Sequence, residues 1–210
     1  MDQHIPLQAT VTSKRFEFST PLELAKARCD MGSSPTMAMN EAVARRRVEG
    51  KETLNLGMGE AIFPLHPVLR QALTESIESA GYAPVAGILK LRQAIAGYME
   101  RTRGISCSAE QVIVGPGSKP LLYALLQVLE GDVLVPRPSW VSYGPQARLA
   151  GWQVVPVTTD PVDHHRLTSE ALSDAITAAQ LSGAKPRVLI VNSPCNPTGG
   201  MLAEEDVVVL

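Results

Sequence analysis

The sequence predicts an α/β fold, three layers α-β-α around a mainly parallel sheet, with a helical segment ahead of it. Three observations carry this reading. First, four short runs dense in β-branched residues fall at 111–114, 133–135, 152–157 and 187–191. Such side chains are stiff and pack well on a pleated surface, so these runs read as strands. Second, segments with apolar residues at helical spacing separate the runs. Alternating β and α implies crossover connections, hence parallel strands with helices on both faces. Third, residues 36–103 carry helical spacing with only one short strand-like run among them.

Along the chain, residues 1–35 show weak periodicity and read as an N-terminal arm with one short helix near 22–28. Residues 36–49 read as a helix that Gly50 stops. TLNLG (53–57) is a candidate strand running into GMGEAIFP, a loop rich in Gly and Pro. In 66–80, Val68, Leu69, Ala72, Leu73, Ile77 and Ala80 share one helical face, and Gly81 ends the helix. Residues 87–103 read as a second such helix, with Ile88, Leu91, Ile95 and Tyr98/Met99 on one face. After a boundary near 103–110 come strand 111–114, the turn GPGSK, a helix over 120–129 and strand 133–135. PRPSWVSYG and a helix to Ala150 follow, then strand 152–157, a helix over 168–181 and strand 187–191. The division is an arm at 1–35, a helical segment at 36–105 and an α/β part at 106–210.

A hydrophobic fraction of 45% and a charged fraction of 19% suit a globular chain that buries a core. The formal net charge of −2 gives no general attraction to nucleic acid or anionic membrane. Arg45-Arg46-Arg47, the only basic run, reads as a solvated helix face. No apolar stretch reaches the ~18 residues of a membrane span. The N-terminus lacks the basic start and apolar block of a signal peptide. Cys29, Cys107 and Cys195, odd in number and irregularly spaced, read as free thiols in a reducing, cytoplasmic setting. The four histidines show no metal-ligand spacing.

Ligands of parallel α/β sheets sit at the carboxyl ends of strands. Three unusual loops fall at three such ends: GPGSKP (115–120), PRPSWVSYG (136–144) and NSPCNPTGG (192–200). In the first, free amides and a helix dipole suit an anion such as phosphate, with the Ser118 hydroxyl and the Lys119 ammonium alongside. A plain tight turn is the alternative. The loop is not a P-loop, since G-x-x-x-x-G-K-[ST] is absent, and Pro120 stands where a dinucleotide fingerprint has its third glycine. In the second, prolines stiffen a segment holding Trp140, whose indole can cover a planar ring for a gain of about 1 kcal/mol beyond area burial. A packed core tryptophan is the alternative. In the third, Pro194 and Pro197 push Ser193 and Asn196 out of helical geometry. That restraint suits a carboxamide held in one place at Asn196, or a rigid surface turn.

Together with LNLGMGEAIFPLHP (54–67) and GYAPVAGILKLRQAIAGYM (81–99), these segments resemble the class I/II aminotransferases over residues 35–210. VIVGPGSKPLLYALLQVL (112–129), PRPSWVSYGPQARLAGWQVVPV (136–157) and VLIVNSPCNPTGG (188–200) extend the match. NPTGG and Y-x-P-x-x-G-x-x-x-L-R are its specific patterns, and their order adds to them. The resemblance implies fold type I of the pyridoxal 5′-phosphate enzymes, aspartate aminotransferase-like, with the large domain incomplete. It implies that residues 36–105 contribute to the small domain and a dimer interface. It also implies that Gly117, Ser118 and Lys119 cradle the cofactor phosphate, that Trp140 stacks on the pyridine ring and that Asn196 hydrogen-bonds the phenolic oxygen. Tyr82 would reach the phosphate of a neighbouring subunit, and Gly59 would lie near the substrate carboxylate. The sequence departs from the family at Ala61, where many members carry proline, and at Ser118-Lys119-Pro120, where small-residue or Gly-Gln versions are commoner.

The family's chemistry also uses a Schiff-base lysine, an aspartate paired with the pyridine nitrogen and an arginine that forks the substrate carboxylate. In the family all three follow NPTG. Here only residues 201–210 follow, and Asp206 sits too near the motif to be that aspartate. Lys14, Lys26, Lys51, Lys90, Lys119 and Lys185 lie outside the Schiff-base motif. The expectation is therefore the N-terminal half of an aminotransferase-type polypeptide, without a catalytic residue of its own and inactive alone. It would serve amino acid and 2-oxo acid substrates as part of a dimer or with a complementing C-terminal chain, with no nucleic acid, membrane or metal involved. The alternatives are a non-catalytic pseudoenzyme or split-enzyme subunit, a lyase or decarboxylase of the same fold, and a nucleotide-binding domain built on GPGSK.

Overall fold

The computed structural model describes residues 32, 34–57, 59, 61–79 and 81–209. Most of the expected arm, its short helix near 22–28 and Cys29 lie outside the described residues. The elements in chain order are α1 (Pro35–Val48), α2 (Pro67–Ser76), α3 (Leu89–Arg103), a 3-10 turn (Ala109–Gln111) and α4 (Ser118–Val128). They continue with β1 (Asp132–Arg137), α5 (Tyr143–Leu149), β2 (Val154–Thr158), α6 (Ser169–Ser182), β3 (Pro186–Leu189) and α7 (Glu204–Val209). The short α7 has no counterpart in the periodicity reading, because its six residues span too few turns to set a pattern.

The three strands form a wholly parallel sheet in the order β2-β1-β3. Val133 pairs with Val154 and Val188, and Leu134 with Val155 and Leu189. Successive residues of a strand point to opposite faces, and the core divides accordingly. Leu134, Val155 and Val157 pack with Ala175 and Ala179 of α6 on one face. Val133 and Val135 pack on the other face with Leu126 of α4, Tyr143 and Ala147 of α5, and Trp152. Helices thus cover both faces of the sheet, the three-layer arrangement that alternating strands and helices imply. At the start of β1, Asp132 stitches the neighbouring strands in: Oδ1 accepts from Gln153 N at 2.8 Å and Oδ2 from Lys185 N at 2.6 Å. α6 begins where the Thr168 hydroxyl accepts from Ala171 N at 3.2 Å, an N-cap bond that satisfies one orphan amide.

Two expected strands are not strands. Residues 112–114 leave the 3-10 turn extended, with Val112 at φ −111° and ψ 126°. Among the described residues they pair with no strand; Val112 N bonds back to Ala109 O at 3.3 Å and Val114 N to Ala86 O at 3.0 Å. An apolar extended run becomes a strand only when a neighbour supplies the ladder, and Ile113 is instead 66% exposed. Residues 53–57 also lack a partner strand among the described residues. Asn55 Oδ1 accepts from Gly57 N at 3.0 Å, a side-chain turn that replaces ladder bonds, and Leu54 and Leu56 face solvent. The amphipathic face expected in 66–80 is present on α2, yet α2 buries none of its residues; Val68, Leu69, Leu73 and Ile77 are all exposed. No helix among the described residues is long and apolar enough to cross a membrane.

α7 is tied to the loop before α6 by one buried carboxylate. Asp206 is 3% exposed; its Oδ1 accepts from Arg166 Nε at 2.5 Å and its Oδ2 from Ala203 N at 2.9 Å. The Ala203 amide first, and then Arg166, hold the carboxyl below the usual carboxylate range. A native pKa below the unfolded one contributes stability that is complete above the unfolded value. That contribution is lost as pH falls through the native value. Asp206→Asn is therefore expected to flatten the acid limb of the stability curve below about pH 4, read by urea melts from pH 7 down to pH 2.5 or so. Glu110 is held low too, by the Ser108 hydroxyl first, so the difference between variant and parent is the quantity that reports Asp206.

Candidate functional site

The first loop is built around Gly117. Its φ of +96° lies where a side chain is strained, and it caps the N-terminus of α4. The backbone N–H groups of Ser118 and Lys119 find no acceptor among the described residues, as the first turn of a helix requires. Pro120 has no N–H to offer and suits the first turn. These free donors stand at the positive end of an eleven-residue helix, on an exposed turn that also carries the Lys119 side chain, an arrangement suited to an anion.

The second loop leaves β1 through the cis Arg137–Pro138 bond and places Trp140 half-buried against the Val133/Val135 side of the core. Trp140 meets Tyr143 edge-to-face, with ring centroids 5.3 Å apart at 82°. Lys119 Nζ lies 5.2 Å from the centre of the Trp140 ring system, within cation–π range. The anion-suited loop and the aromatic plate therefore share a residue. Burial, and then the neighbouring Cys195, push the Tyr143 phenol up.

The third loop is fastened within itself. Asn192 Oδ1 accepts from Asn196 N at 2.9 Å, Gly199 N donates to Cys195 O at 2.7 Å and Cys195 N to Gly200 O at 2.7 Å. Ser193 Oγ accepts from Leu202 N at 3.0 Å. The Ser193–Pro194 and Asn196–Pro197 bonds are cis. The Cys195 thiol reaches Pro138 O at 3.9 Å and so links the third loop to the second. The Asn196 side chain is exposed, and its carboxamide bonds to none of the described residues.

Lys119 and Trp140 are thus in contact, and Gly117 and Ser118 lie on the same loop as Lys119. Asn196 stands on the loop bonded to Trp140's loop. Tyr82 and Gly59 are not brought into contact with any of them: Tyr82 is wholly exposed, and open space surrounds Gly59. A cavity of about 260 Å³ opens at the carboxyl ends of β1 and β3, lined among others by Pro136, Tyr143, Ile190, Asn192 and Cys195. Sequence reasoning missed Tyr143 and Gln146. Their signal was the helical spacing of Tyr143, Gln146 and Ala147, all three buried on one face of α5. No group of three or more metal-ligating side chains occurs among the described residues.

A family model described as aminotransferase class I and II matches residues 51–210. The chain is 33% identical over 194 residues to the aspartate aminotransferase of Bacillus subtilis, covering 90% of this chain and 48% of that protein. It is 36% identical over 180 residues to the aspartate/prephenate aminotransferase of Thermus thermophilus, covering 83% and 45%. Among solved structures, the aspartate aminotransferase from Thermus thermophilus with maleate superposes with a TM-score of 0.81 at 34% identity, covering 90% of this chain and 49% of that one. The chain spans about half the length of the curated relatives it matches.

Proposed function

Because this chain belongs to the class I and II aminotransferases, we propose that it supplies the N-terminal part of a pyridoxal 5′-phosphate site for amino-group transfer between amino acids and 2-oxo acids. The observation that carries the reading is the junction at Lys119: its ammonium stands 5.2 Å from the centre of the Trp140 indole, and its own amide and that of Ser118 are free at the helix N-terminus. A doubly negative phosphate on a flat aromatic ring matches that donor set. Gly117, Ser118 and Lys119 take the phosphate, Trp140 takes a ring face and the free Asn196 carboxamide takes the phenolic oxygen. Tyr82, exposed and unengaged, reaches the site of a neighbouring subunit, and Gly59 borders the substrate carboxylate.

Bound there, the cofactor supplies an electron sink for the amino acid's α-carbon. The residues of this chain bind and orient. Helix-terminal N–H groups are prepositioned toward the anion, so little reorganisation accompanies binding. Trp140, edge-to-face against Tyr143, offers a plate whose orientation that contact favours. The self-bonded NSPCNPTGG turn holds Asn196 on a stiff frame.

We assign the covalent role to none of Lys14, Lys26, Lys51, Lys90, Lys119 and Lys185. The 210-residue chain is then inactive alone. It functions in the cytoplasm, as half of a dimeric enzyme's protomer or beside a complementing chain. Borohydride reduction after incubation with pyridoxal 5′-phosphate, followed by peptide mapping, tests this. Reversible binding without a stoichiometric adduct at one lysine is the expected result. A single-site adduct accompanied by turnover of any amino acid would overturn the inactive-alone reading. Indifference to the phosphate group would overturn the assignment of the site.

A further inference from the structure

Gln146 lies on the buried face of α5 and is 9% exposed. Its Nε2 donates at 2.8 Å to the carbonyl of Lys119, a residue 27 positions earlier. Its Oε1 is buried with no donor among the described residues. A half-satisfied buried carboxamide is costly, and an apolar side chain of the same length would pack there without that cost. For stability alone, glutamine is a poor choice at this position.

The bond it does make falls on a loop with little else to hold it. Within 115–119 the loop's own recorded bond is Gly117 N to Gly115 O at 2.7 Å. Among the described residues, Gln146 provides the one hydrogen bond that reaches residues 115–119 from outside the loop and α4. Gly117 is conformationally permissive, so without an external tie the first turn of α4 can rotate relative to α5. Trp140 lies in the loop just before α5 and meets Tyr143 of that helix edge-to-face.

We propose that Gln146 is a positioning residue of the phosphate site. It ties the first turn of α4 to α5, so that the Ser118 and Lys119 amides and the Lys119 ammonium keep a fixed relation to Trp140. It acts through Lys119 and touches no ligand. The inference rests on the reading of the α4 N-terminus as the phosphate site.

The test is calorimetric titration of the 210-residue chain with pyridoxine 5′-phosphate and with pyridoxine. Both lack the aldehyde and so cannot label lysines, and they differ only in the phosphate. The parent chain is expected to prefer the phosphorylated ligand. Gln146→Met, of similar length without a donor, is expected to lose roughly five- to tenfold of that preference. Its affinity for pyridoxine and its melting temperature should not fall. Gln146→Glu should keep the preference at acid pH, where its carboxyl donates to Lys119 O, and lose it as that group ionises, beyond any change in the parent. A parent that takes both ligands equally overturns the phosphate reading and this inference together. A selective parent matched by Gln146→Met overturns the inference alone, as does an equal loss for both ligands, which would make Gln146 a packing residue. If Gln146→Met does not fold, the pH profile of Gln146→Glu decides, and a profile parallel to the parent's overturns the inference.

Discussion

A chain carrying Val157→Asp is expected to lose its cooperative fold at neutral pH. Val157 is fully buried in β2, enclosed by Leu134, Leu167 and the small residues Ala175 and Ala179 of α6. No cation among these neighbours can pair with a carboxylate placed there. The effective penalty for an unpaired buried charge is several kcal/mol even after relaxation, against a total stability of about 5–15 kcal/mol for an ordinary domain. Val157→Ala provides the scale. It leaves the pattern intact and is expected to cost about 2–3 kcal/mol, the lost transfer energy plus a small cavity. Urea melts followed by far-ultraviolet circular dichroism distinguish the two: a sigmoid at lower midpoint for Val157→Ala, no sigmoid for Val157→Asp. A Val157→Asp chain that melts within about 1 kcal/mol of the parent would show that the Val157 face of β2 is not packed beneath α6.

Trp140→Ala is expected to weaken pyridoxine 5′-phosphate binding by about ten- to a hundredfold, through lost stacking and lost apolar contact. The same change removes a half-buried indole from the Val133/Val135 cluster, so a stability loss of about 2–3 kcal/mol should accompany it. Trp140→Phe separates the two roles. It keeps a ring for the ligand and most of the packing, and should recover the larger part of both losses. Asn196→Ala serves as the complementary probe. Its carboxamide bonds to none of the described residues, so its removal should leave the melting temperature unchanged while still lowering affinity. Unchanged affinity in both Trp140→Ala and Asn196→Ala would remove the second and third loops from the site and leave only the anion-suited N-terminus of α4.

Both expectations depend on features that differ in how far the sequence alone exposes them. The strands β1, β2 and β3 were legible because β-branched density and short apolar runs are local properties of a pleated, buried surface. The helices were legible from spacing, with ends displaced by a few residues, as at α2, where the reading of 66–80 shortens to Pro67–Ser76. The same local signal misled at 53–57 and 112–114. The apolar residues are dense at 112–114, and Leu54 and Leu56 alternate at 53–57, yet no neighbouring strand completes a ladder among the described residues.

The candidate site divides in the same way. Its parts were visible as three loops, two of them after β1 and β3 and the first after the extended run 112–114, each marked by residues that restrict or free the backbone: Gly117, Pro138, Pro194 and Pro197. Chain composition is enough to locate such loops, since glycine and proline act on their own φ angles. The relations among the parts were not visible. That Lys119 rests over Trp140, that Gln146 crosses 27 residues to the Lys119 carbonyl, and that Asp206 crosses 40 to Arg166 follow from how α4, α5 and α7 are packed.

The sequence by itself determined the α/β class, the parallel arrangement, the family and the position of three ligand-suited loops, because each is written in local conformational preference or in a contiguous pattern. The tertiary structure alone decided which apolar runs became strands, which polar side chains were buried and which loop residues touch. Those outcomes require a second surface at van der Waals or hydrogen-bond distance. A linear spacing does not specify when two segments so far apart along the chain will provide it.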